Sequence, residues 1–340
     1  MGRQVWVRRL RWAVAAAAAV GLGLLLWARS LLLPVFAGAD APTQVFAVAR
    51  GATLGAVARA LEDAGLVRSE RAVRWYARFD GVANGVKAGE YELSPDLSTQ
   101  QVLERITSGR VLAYPVVLPE GIRMTEIAQR LAEQDLCDPR EFLAAAQNAE
   151  LVAALGIEGG TLEGYLFPET YRIPRGLPAE EIARSMVLQF QKVWREIGPL
   201  AEELGMSTAE VVTLASIVEK ETAAAEERPL IAAVFLNRLR RGMRLETDPA
   251  VIYGIADFDG NLRRVHLEDT GNPYNTYQFK GLPPGPIASP GADALRAVVE
   301  PAQSDYLYFV SRNDGTHEFS RTYREHVNAV NRYQLRRASR

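Results

Sequence analysis

The sequence predicts an α+β fold behind an N-terminal transmembrane helix, because three different patterns follow one another along the chain. A long apolar run comes first, short alternating segments that lead into helical periodicity come next, and a strand- and loop-rich part ends the chain. The 340 residues, 48% of them hydrophobic and 24% charged, suffice for two or three domains with hydrophobic cores. A disordered chain is therefore excluded.

The apolar run predicts a transmembrane anchor over residues 12–33, after a cytoplasmic tail of residues 1–11. Such a run has the roughly 20 residues that span a bilayer. Four arginines precede it, namely Arg3, Arg8, Arg9 and Arg11. Because basic residues stay on the cytoplasmic side of a span, the rest of the chain is expected outside the cytoplasm.

A cleaved signal peptide is the alternative interpretation, since Ala37-Gly38-Ala39 is a permissible cleavage site. The length of the apolar run favours the uncleaved anchor. So do Trp12 and Trp27, which suit the interfaces of a membrane. In both interpretations the bulk of the chain is exported.

A loose internal repeat relates residues 45–66 to residues 114–136 at a constant offset of 70, with Gly51 aligned to Gly121. Each copy has the pattern of a short strand of alternating apolar residues, a glycine turn and an amphipathic helix. The sequence thus predicts two small β-α modules.

A helix is predicted to begin after Ser207 and to extend to Thr222. Ser207 and Glu210 have the Ser-x-x-Glu spacing of a capping box, in which each side chain accepts a hydrogen bond from a free amide of the first turn. This helix carries two glutamates near its end, Glu219 and Glu221.

The apolar stripe of this helix ends in an acid. Leu214, Ile217 and Val218 hold the i, i+3 and i+4 positions of a core-facing stripe, and Glu221 takes the i+7 position. A carboxyl group on a packed face loses hydration, which raises its pKa and suits it to donate a proton near neutral pH. Glu221 is therefore the predicted general acid, and Glu219, on a smaller face, is its rival. The plainer interpretation places both on a solvated helix end, the usual location of Glu.

A second amphipathic helix is predicted from Arg228-Pro229, because proline suits a first helical turn, to Gly242. The two helices are expected to form a hairpin. After it, residues 243–249 form a polar turn that presents hydroxyl, amide and charged groups to a ligand.

Seven segments of the chain carry a specific signature. They are residues 163–171 (Glu-Gly-Tyr-Leu-Phe-Pro-Glu-Thr-Tyr), 215–222 (Ala-Ser-Ile-Val-Glu-Lys-Glu-Thr), 234–239 (Val-Phe-Leu-Asn-Arg-Leu), 244–249 (Arg-Leu-Glu-Thr-Asp-Pro), 274–277 (Tyr-Asn-Thr-Tyr), 281–285 (Gly-Leu-Pro-Pro-Gly) and 306–310 (Tyr-Leu-Tyr-Phe-Val). Together they resemble the endolytic murein transglycosylase, or YceG-like, family, and the resemblance covers nearly the whole chain.

The resemblance implies roles for particular residues. The family's catalytic glutamate is the second one of the Glu-Lys-Glu-Thr run, which falls on Glu221, the residue that the helical stripe also selects. Four further residues are expected to form hydrogen-bonding walls for acetamido and hydroxyl groups of the substrate, namely Asn237, Thr247, Tyr253 and Asn275. The family implies no cofactor and no metal ion.

The resemblance also implies an architecture and a reaction. A LysM-like module is expected over residues 43–112 and a catalytic transglycosylase domain, with the helical hairpin, over residues 113–340. The enzyme is expected to cleave the β-1,4 bond between N-acetylmuramic acid and N-acetylglucosamine in peptidoglycan, leaving 1,6-anhydromuramyl ends. Cell-wall assembly and glycan strand termination are its expected roles, at the inner (cytoplasmic) membrane. Peptidoglycan glycan strands, the membrane and peptidoglycan synthases are the expected partners.

Three alternatives stay open at this stage. The first is a hydrolytic muramidase that uses Glu221 with Asp248 or Glu219 as a second acid. The second is a catalytically silent, membrane-anchored scaffold that binds peptidoglycan. The third, a serine hydrolase built from Ser216 and His317, is disfavoured because Ser216 lies within a helix and no Gly-x-Ser-x-Gly elbow is present. For the LysM-like module, glycan binding and a purely structural spacer are equally supported.

The segment 163–171 adds possible site residues. Glu163 and Glu169 are the leading candidates for further acids near a cleft. Three aromatic side chains of this segment suit sugar rings, although aromatic residues are more often part of a core. They are Tyr165, Phe167 and Tyr171.

Composition excludes several other classes. The net charge of -2 and a pI of about 6.1 give no reason to expect nucleic-acid binding. Cys137, the one cysteine, has no partner for an internal disulfide, and three histidines leave little material for a zinc site.

Overall fold

The computed structural model describes residues 2–36, 38, 41–83, 85–222 and 224–335. The chain divides into two compact units, one of Met1–Tyr114 with Pro174–Gly176 and the other of Pro115–Ile173 with Leu177–Arg340. Helices and short strands occur in both units, so the α+β class is confirmed. The functional labels that the sequence attached to residues 43–112 and 113–340 stay predictions.

The first unit begins with a long helix and continues as a small α/β body. Its elements are α1 (Gly2–Ser30), β1 (Gln44–Val48), α2 (Leu54–Asp63), α3 (Glu70–Phe79), β2 (Gly89–Leu93) and α4 (Thr99–Ser108). Strands β1 and β2 pair antiparallel, with Phe46 opposite Tyr91. Within α1, Arg8–Ser30 is long and apolar enough to cross a membrane. The helix ends three residues before the predicted end of the span at residue 33.

The core of this α/β body lies between its paired strands and its helices. Leu61, Leu66, Val73 and Ile106 are fully buried there. Each helix presents an apolar stripe to this core, as its periodicity predicts. Side-chain caps define where the helices begin: Thr53, Ser69 and Ser98 accept hydrogen bonds from amides of the first turns.

The second unit is mainly helical. Its elements are β3 (Tyr114–Val117), α5 (Met124–Glu133), α6 (Pro139–Ala146), α7 (Ala149–Ala154), β4 (Thr170–Ile173), α8 (Ala179–Glu203), α9 (Thr208–Glu221), α10 (Arg228–Arg240), α11 (Asp248–Tyr253), α12 (Arg264–Leu267), α13 (Ala292–Val299), β5 (Tyr308–Ser311), β6 (His317–Ser320) and α14 (Tyr323–Val330). Strand β3 pairs with β4, and β5 with β6. Helix α9 packs against α10 and α13 in the centre of this unit.

The internal repeat appears as repeated secondary structure. Strands β1 and β3 begin 70 residues apart, and so do helices α2 and α5, each ten residues long. Gly51 and Gly121, in the turns between them, have φ values of +73° and +72°. This left-handed conformation strains any residue with a Cβ, so both turns depend on glycine.

Some local details of the second unit are clear only in the structure. Residues 143–156 form parts of two helices, because Asn148 caps a new one, α7. Of the signature segment 306–310, only the part from Tyr308 onward is a strand, β5, which extends to Ser311. Tyr165 and Phe167 are 2% and 6% exposed, so the idea that they form a sugar platform is wrong: the Tyr165 ring packs edge-on against Phe190 in the core.

Candidate active site

Helix α9 carries the two glutamates of interest, and its central part is buried. Ser207 caps it as predicted, and the side chain of Glu210 completes the capping box. The side chains of Val211 to Val218 are all buried, including those on the supposedly more permissive face of Val212 and Ala215. Burial alone therefore does not distinguish Glu219 from Glu221, and the distinction must come from their partners.

Glu221 ends α9 beside the turn that follows α10. The Thr247 hydroxyl donates a hydrogen bond to Glu221 Oε1. Burial raises the pKa of Glu221 to about 7, the Thr247 hydrogen bond and Arg238 oppose the rise, and the nearby charge of Asp248 adds to it. A carboxyl group with this pKa holds a proton in about half of the molecules at neutral pH, which suits both donation and acceptance of a proton.

The turn that presents Thr247 is held in place by backbone geometry and by Thr276. Glu246, the residue before, has φ +52°, a left-handed conformation uncommon for a residue other than glycine. The Thr247 amide donates to Thr276 Oγ1 at 3.0 Å, and that hydroxyl donates to the Thr247 carbonyl at 3.2 Å. Thr247 is 1% exposed. Its hydroxyl is therefore fixed toward Glu221 before any ligand arrives.

Asp248 provides a second, solvent-exposed carboxylate near Glu221. It is exposed, it begins α11, and the Tyr277 hydroxyl donates to its Oδ1 at 2.7 Å. Burial raises the pKa of Tyr277, and the hydrogen bond to Asp248 adds to this effect. The phenol thus stays neutral and able to donate. Asp248 and Tyr277 thus form a hydrogen-bonded pair next to the turn that holds Thr247.

Arg238 on α10 is the positively charged side chain of this site. Its hydrogen-bond donors bond to backbone carbonyls of the protein itself. Its Nε donates to the Leu307 carbonyl at 2.7 Å and its Nη1 to the Leu245 carbonyl at 2.8 Å. The guanidinium also lies over the Tyr308 ring, 5.1 Å from its centroid. Arg238 is 7% exposed. Its bond to the Leu245 carbonyl holds the backbone that leads to Thr247, and its charge lowers the pKa of Glu221.

Glu219 has a different environment, because a buried arginine reaches it. Arg228, at the start of α10, donates from Nη2 to Glu219 Oε1 at 2.8 Å and to Glu120 Oε2 at 3.2 Å. The Gly291 amide donates to Glu219 Oε2 at 2.9 Å. A Cβ on Gly291 would lie 1.9 Å from Glu120 Oε1, so a larger residue there would have to displace the partly exposed Glu120 side chain. Glu219 thus joins α9, α10 and the start of α13.

Glu163 is a further buried carboxyl group with a raised pKa. It accepts from the Met124 amide at 3.0 Å and from the Tyr253 hydroxyl at 3.2 Å, and it is 4% exposed. Burial raises its pKa to about 7 despite these two bonds. Tyr253 also contacts the Tyr274 ring and lies under the Arg123 guanidinium. Glu163 therefore links the start of α5 to the end of α11, whereas Glu169 is exposed.

The two predicted asparagines hold loops together. Asn237 donates to the carbonyls of Ser304 and Tyr306, both at 2.9 Å. Asn275, which is fully buried, donates to three carbonyls, of His266, Leu267 and Asp269. The prediction that these side chains contact sugar stays a prediction, but their amide nitrogens already have protein partners.

The residues of the serine-hydrolase alternative are not brought together. The Ser216 hydroxyl is buried and donates to the Thr213 carbonyl of its own helix at 2.7 Å. His317 Nδ1 instead lies 2.6 Å from Glu227 Oε2. Among the residues that the structure describes, no group of three or more His, Cys, Asp or Glu side chains is arranged to hold a metal ion.

Of the five predicted site residues, the structure places Glu221 and Thr247 in direct contact. Tyr253 lies at the other end of the short helix α11, on Glu163. The sequence analysis missed Arg238 and Tyr277 as members of the site and Arg228 as the partner of Glu219. A buried arginine and a tyrosine in a polar loop have no distinguishing local pattern, so only their contacts reveal them.

Comparison with known proteins decides the relationship. The model of a family described as YceG-like matches residues 46–332. The chain belongs to the YceG-like family. The prediction made from the seven signature segments is thereby confirmed, and the described site lies within the matched region.

Two YceG-like relatives and one solved structure extend this result. The endolytic murein transglycosylase of Bacillus subtilis (strain 168) is 31% identical over 330 residues, which cover 92% of this chain and 90% of that protein. The protein of the same name from Streptococcus pneumoniae serotype 2 (strain D39 / NCTC 7466) is 30% identical over 339 residues, and the match spans 61% of its length. A yceG-like protein of Listeria monocytogenes, solved at 2.6 Å, has 31% identity and a TM-score of 0.59 over 85% of this chain and 99% of its own.

Proposed function

We propose that this YceG-like protein is an endolytic lytic transglycosylase that cleaves the β-1,4 bond between N-acetylmuramic acid and N-acetylglucosamine. The names of its relatives support an activity on murein. The observation that carries the mechanism is the Glu221 carboxyl group, with a pKa of about 7, hydrogen-bonded to Thr247 and with no arginine or lysine paired to it among the described residues.

Glu221 serves first as the acid. Its proton passes to the bridging oxygen as the bond from that oxygen to C1 of the muramyl residue breaks, and the N-acetylglucosamine side leaves with a new hydroxyl group. The pKa of about 7 keeps a large fraction of Glu221 protonated at neutral pH. The Thr247 hydroxyl donates to the carboxylate that this step creates, and so stabilises it.

Glu221 then serves as the base. The C6 hydroxyl of the same muramyl residue attacks C1, its proton returns to Glu221, and a 1,6-anhydro ring closes without water. The nucleophile belongs to the substrate, so the reaction gains the large effective concentration of an intramolecular attack. A second catalytic carboxylate is not needed, and Glu219 is unsuited to be one because Arg228 holds it.

Thr247 and Tyr253 are the proposed substrate-side hydrogen-bonding groups. Thr247 lies on the turn that contacts Glu221 and Tyr253 on the short helix that follows it, and the half-buried Tyr253 ring contacts Tyr274. Asn237 and Asn275 are proposed to act indirectly, by holding the loops around the substrate-binding groups. Their amide groups bond to backbone carbonyls of these loops.

The proposed cellular setting follows from the N-terminal helix. The apolar part of Arg8–Ser30 would anchor the protein in the inner (cytoplasmic) membrane as a single span. The arginines at its N-terminal end would lie inside, and both the LysM-like module and the catalytic hairpin would lie outside. Peptidoglycan synthases are the proposed protein partners, because they produce the strands that this reaction would terminate.

The decisive experiment is mass spectrometry of purified sacculi digested with the purified protein. We expect muropeptides with 1,6-anhydromuramyl ends, which weigh one water less than the reducing ends left by hydrolysis. Glu221→Gln, which is nearly isosteric but has no proton to give, is the control and should release none. Reducing ends would instead identify a muramidase that uses Asp248, and binding without shortening of strands would identify a scaffold.

A further inference from the structure

One side of α3 in the first unit carries only arginine and large aromatic side chains. Trp75 is 78% exposed and Phe79 is 91% exposed, and the exposed Arg71, Arg74 and Arg78 lie between and beside them. At roughly 100° per residue, these five positions occupy about 140° of the helix circumference. We call this surface the α3 stripe. The opposite side of α3 packs into the core, so the helix is stable without a partner on the stripe.

The charge of the α3 stripe is predominantly positive. Arg74 lies 3.2 Å from Glu70, which is mostly buried, whereas Arg71 and Arg78 form no ion pair with any residue that the structure describes. Arg74 and Arg78 also line an open groove of about 590 Å³. A guanidinium group can donate two parallel hydrogen bonds to the oxygens of one phosphate group, so this groove suits an anionic headgroup.

The connection between α1 and the rest of the unit is very short. Helix α1 ends at Ser30, and two residues later the Leu32 carbonyl accepts from the Thr99 amide at 3.0 Å. Two extended residues span at most about 7 Å. The headgroup region on each side of a bilayer is of similar depth, roughly 5–8 Å. If α1 spans the membrane, the α/β body must therefore touch the headgroup layer.

The start of α3 is held close to this exit point. Arg68, one residue before the cap of α3, donates from Nε to the Pro34 carbonyl at 2.8 Å. Pro34 is only four residues beyond α1. Two apolar residues near it, Leu33 and Phe36, are 51% and 49% exposed, so apolar surface is present at this exit point.

We propose that the α3 stripe docks onto the anionic phospholipid surface of the membrane that α1 enters, with Trp75 and Phe79 inserted among the headgroups. This proposal rests on the proposed membrane span. Exposed aromatic residues favour the interface, and each arginine near an anionic surface adds roughly a fivefold preference. Docking at two places, α1 and α3, would fix the height and orientation of the α/β body above the membrane.

A glycan strand is the competing ligand, because aromatic and basic side chains also suit sugars and carboxylates. The short connection favours lipid, since it brings the headgroups to the stripe without any further partner. The extreme exposure of Phe79 also favours lipid, because a sugar platform needs a ring that is held in place by neighbours.

The test uses the full-length protein in vesicles, with a polarity-sensitive fluorophore on a cysteine at position 79. The variant is Phe79→Cys in a Cys137→Ala background. Flotation of the vesicles in high salt reports the α1 anchor, and the emission of the fluorophore reports docking. We expect flotation in all vesicles, but a blue-shifted emission only with phosphatidylglycerol and not with phosphatidylcholine alone. High salt should reverse the blue shift.

Charge reversal separates docking from the anchor and from catalysis. Arg71→Glu with Arg78→Glu should lower the ratio of docked to undocked protein tenfold or more, while flotation and glycan cleavage in detergent stay unchanged. Arg110→Glu with Arg140→Glu, two exposed arginines outside the stripe, is the matched control and should leave docking intact.

Two results would overturn the proposal. Protein that floats while the fluorophore stays in water in every vesicle would show an anchor without docking, and a blue shift caused by purified glycan strands instead of lipid would assign the stripe to glycan. Protein that fails to float would refute the span on which the docking proposal rests, without affecting the proposed catalytic activity.

Discussion

Glu219 and Glu221 lie two residues apart on the same buried helix, yet they have opposite partners. Arg228 and the Gly291 amide hold the Glu219 carboxylate, whereas the Glu221 carboxyl faces a hydroxyl group and the like charge of Asp248. Burial raises the pKa of both. In this comparison, the buried carboxyl that an arginine pairs with directly is structural, and the one to which no cation is hydrogen-bonded among the described residues remains available for proton transfer.

The sharpest test of this comparison is Glu221→Gln. We expect catalytic activity to fall by roughly 10² to 10⁴ or more, because one residue performs both proton transfers. Anhydromuropeptide release from purified sacculi is the measurement, with thermal melts to establish that the variant is folded. Full activity of a folded Glu221→Gln protein would remove Glu221 from the mechanism.

Glu219→Gln should show the reverse behaviour. It breaks a buried ion pair, and we expect a loss of roughly 3 kcal/mol in the free energy of unfolding. This value is at the lower end for such pairs, because Arg228 keeps its second ion pair, with Glu120. Activity should survive at temperatures where the variant stays folded. Denaturant unfolding and sacculus digestion would be measured on the same preparation. An inactive but equally stable Glu219→Gln protein would instead point to a cooperating pair of acids.

The pH dependence of stability provides a separate comparison of the wild type with Glu221→Gln. With a pKa of about 7 when folded and 4.5 as the reference value, the folded Glu221 retains a proton that the unfolded chain has released between these pH values. The wild type should therefore lose stability as pH rises through this window, by at most about 3 kcal/mol from this group. Half-buried Glu221 retains some solvent, so the actual loss will be smaller.

Because Gln does not titrate, the variant should be as stable as the wild type near pH 4 and more stable than the wild type above pH 7. Urea unfolding of both proteins across this range measures the difference. Glu163, whose pKa is also raised to about 7, titrates in both proteins, so its contribution cancels from the difference in stability between them. A difference that does not change with pH would show that Glu221 is not desolvated.

The neighbours of Glu221 should shift its pH profile in opposite directions. The Thr247 hydrogen bond lowers the pKa of Glu221, so Thr247→Val should move the high-pH decline of kcat/KM to higher pH, with a roughly tenfold lower rate. Asp248 raises that pKa, so Asp248→Asn should move the decline to lower pH. Thr247→Ser keeps the hydroxyl and serves as the control. Shifts in the same direction for both variants would contradict the described environment.

Local sequence signals determined much of this architecture. The capping box at Ser207, the proline that opens α10 and the glycine turns at Gly51 and Gly121 all act through neighbours within a few residues, so their conformations are legible without the fold. The signature segments likewise sufficed to indicate the family. The apolar stripe selected Glu221, but burial of the stripe does not distinguish Glu221 from Glu219, because the face of α9 that leads to Glu219 is equally buried.

Only the tertiary structure decided which partner each carboxyl group receives. Arg228 reaches Glu219 because α10 packs against α9, and Thr247 reaches Glu221 from 26 residues away because Thr276 and the left-handed Glu246 set the turn. Such contacts depend on how helices and loops pack, and no local spacing encodes them. The same applies to Asn275, whose side chain would suit a ligand but is enclosed and bonded to the backbone around it. The pKa of a buried group is a property of these long-range partners, so it became known only with the fold.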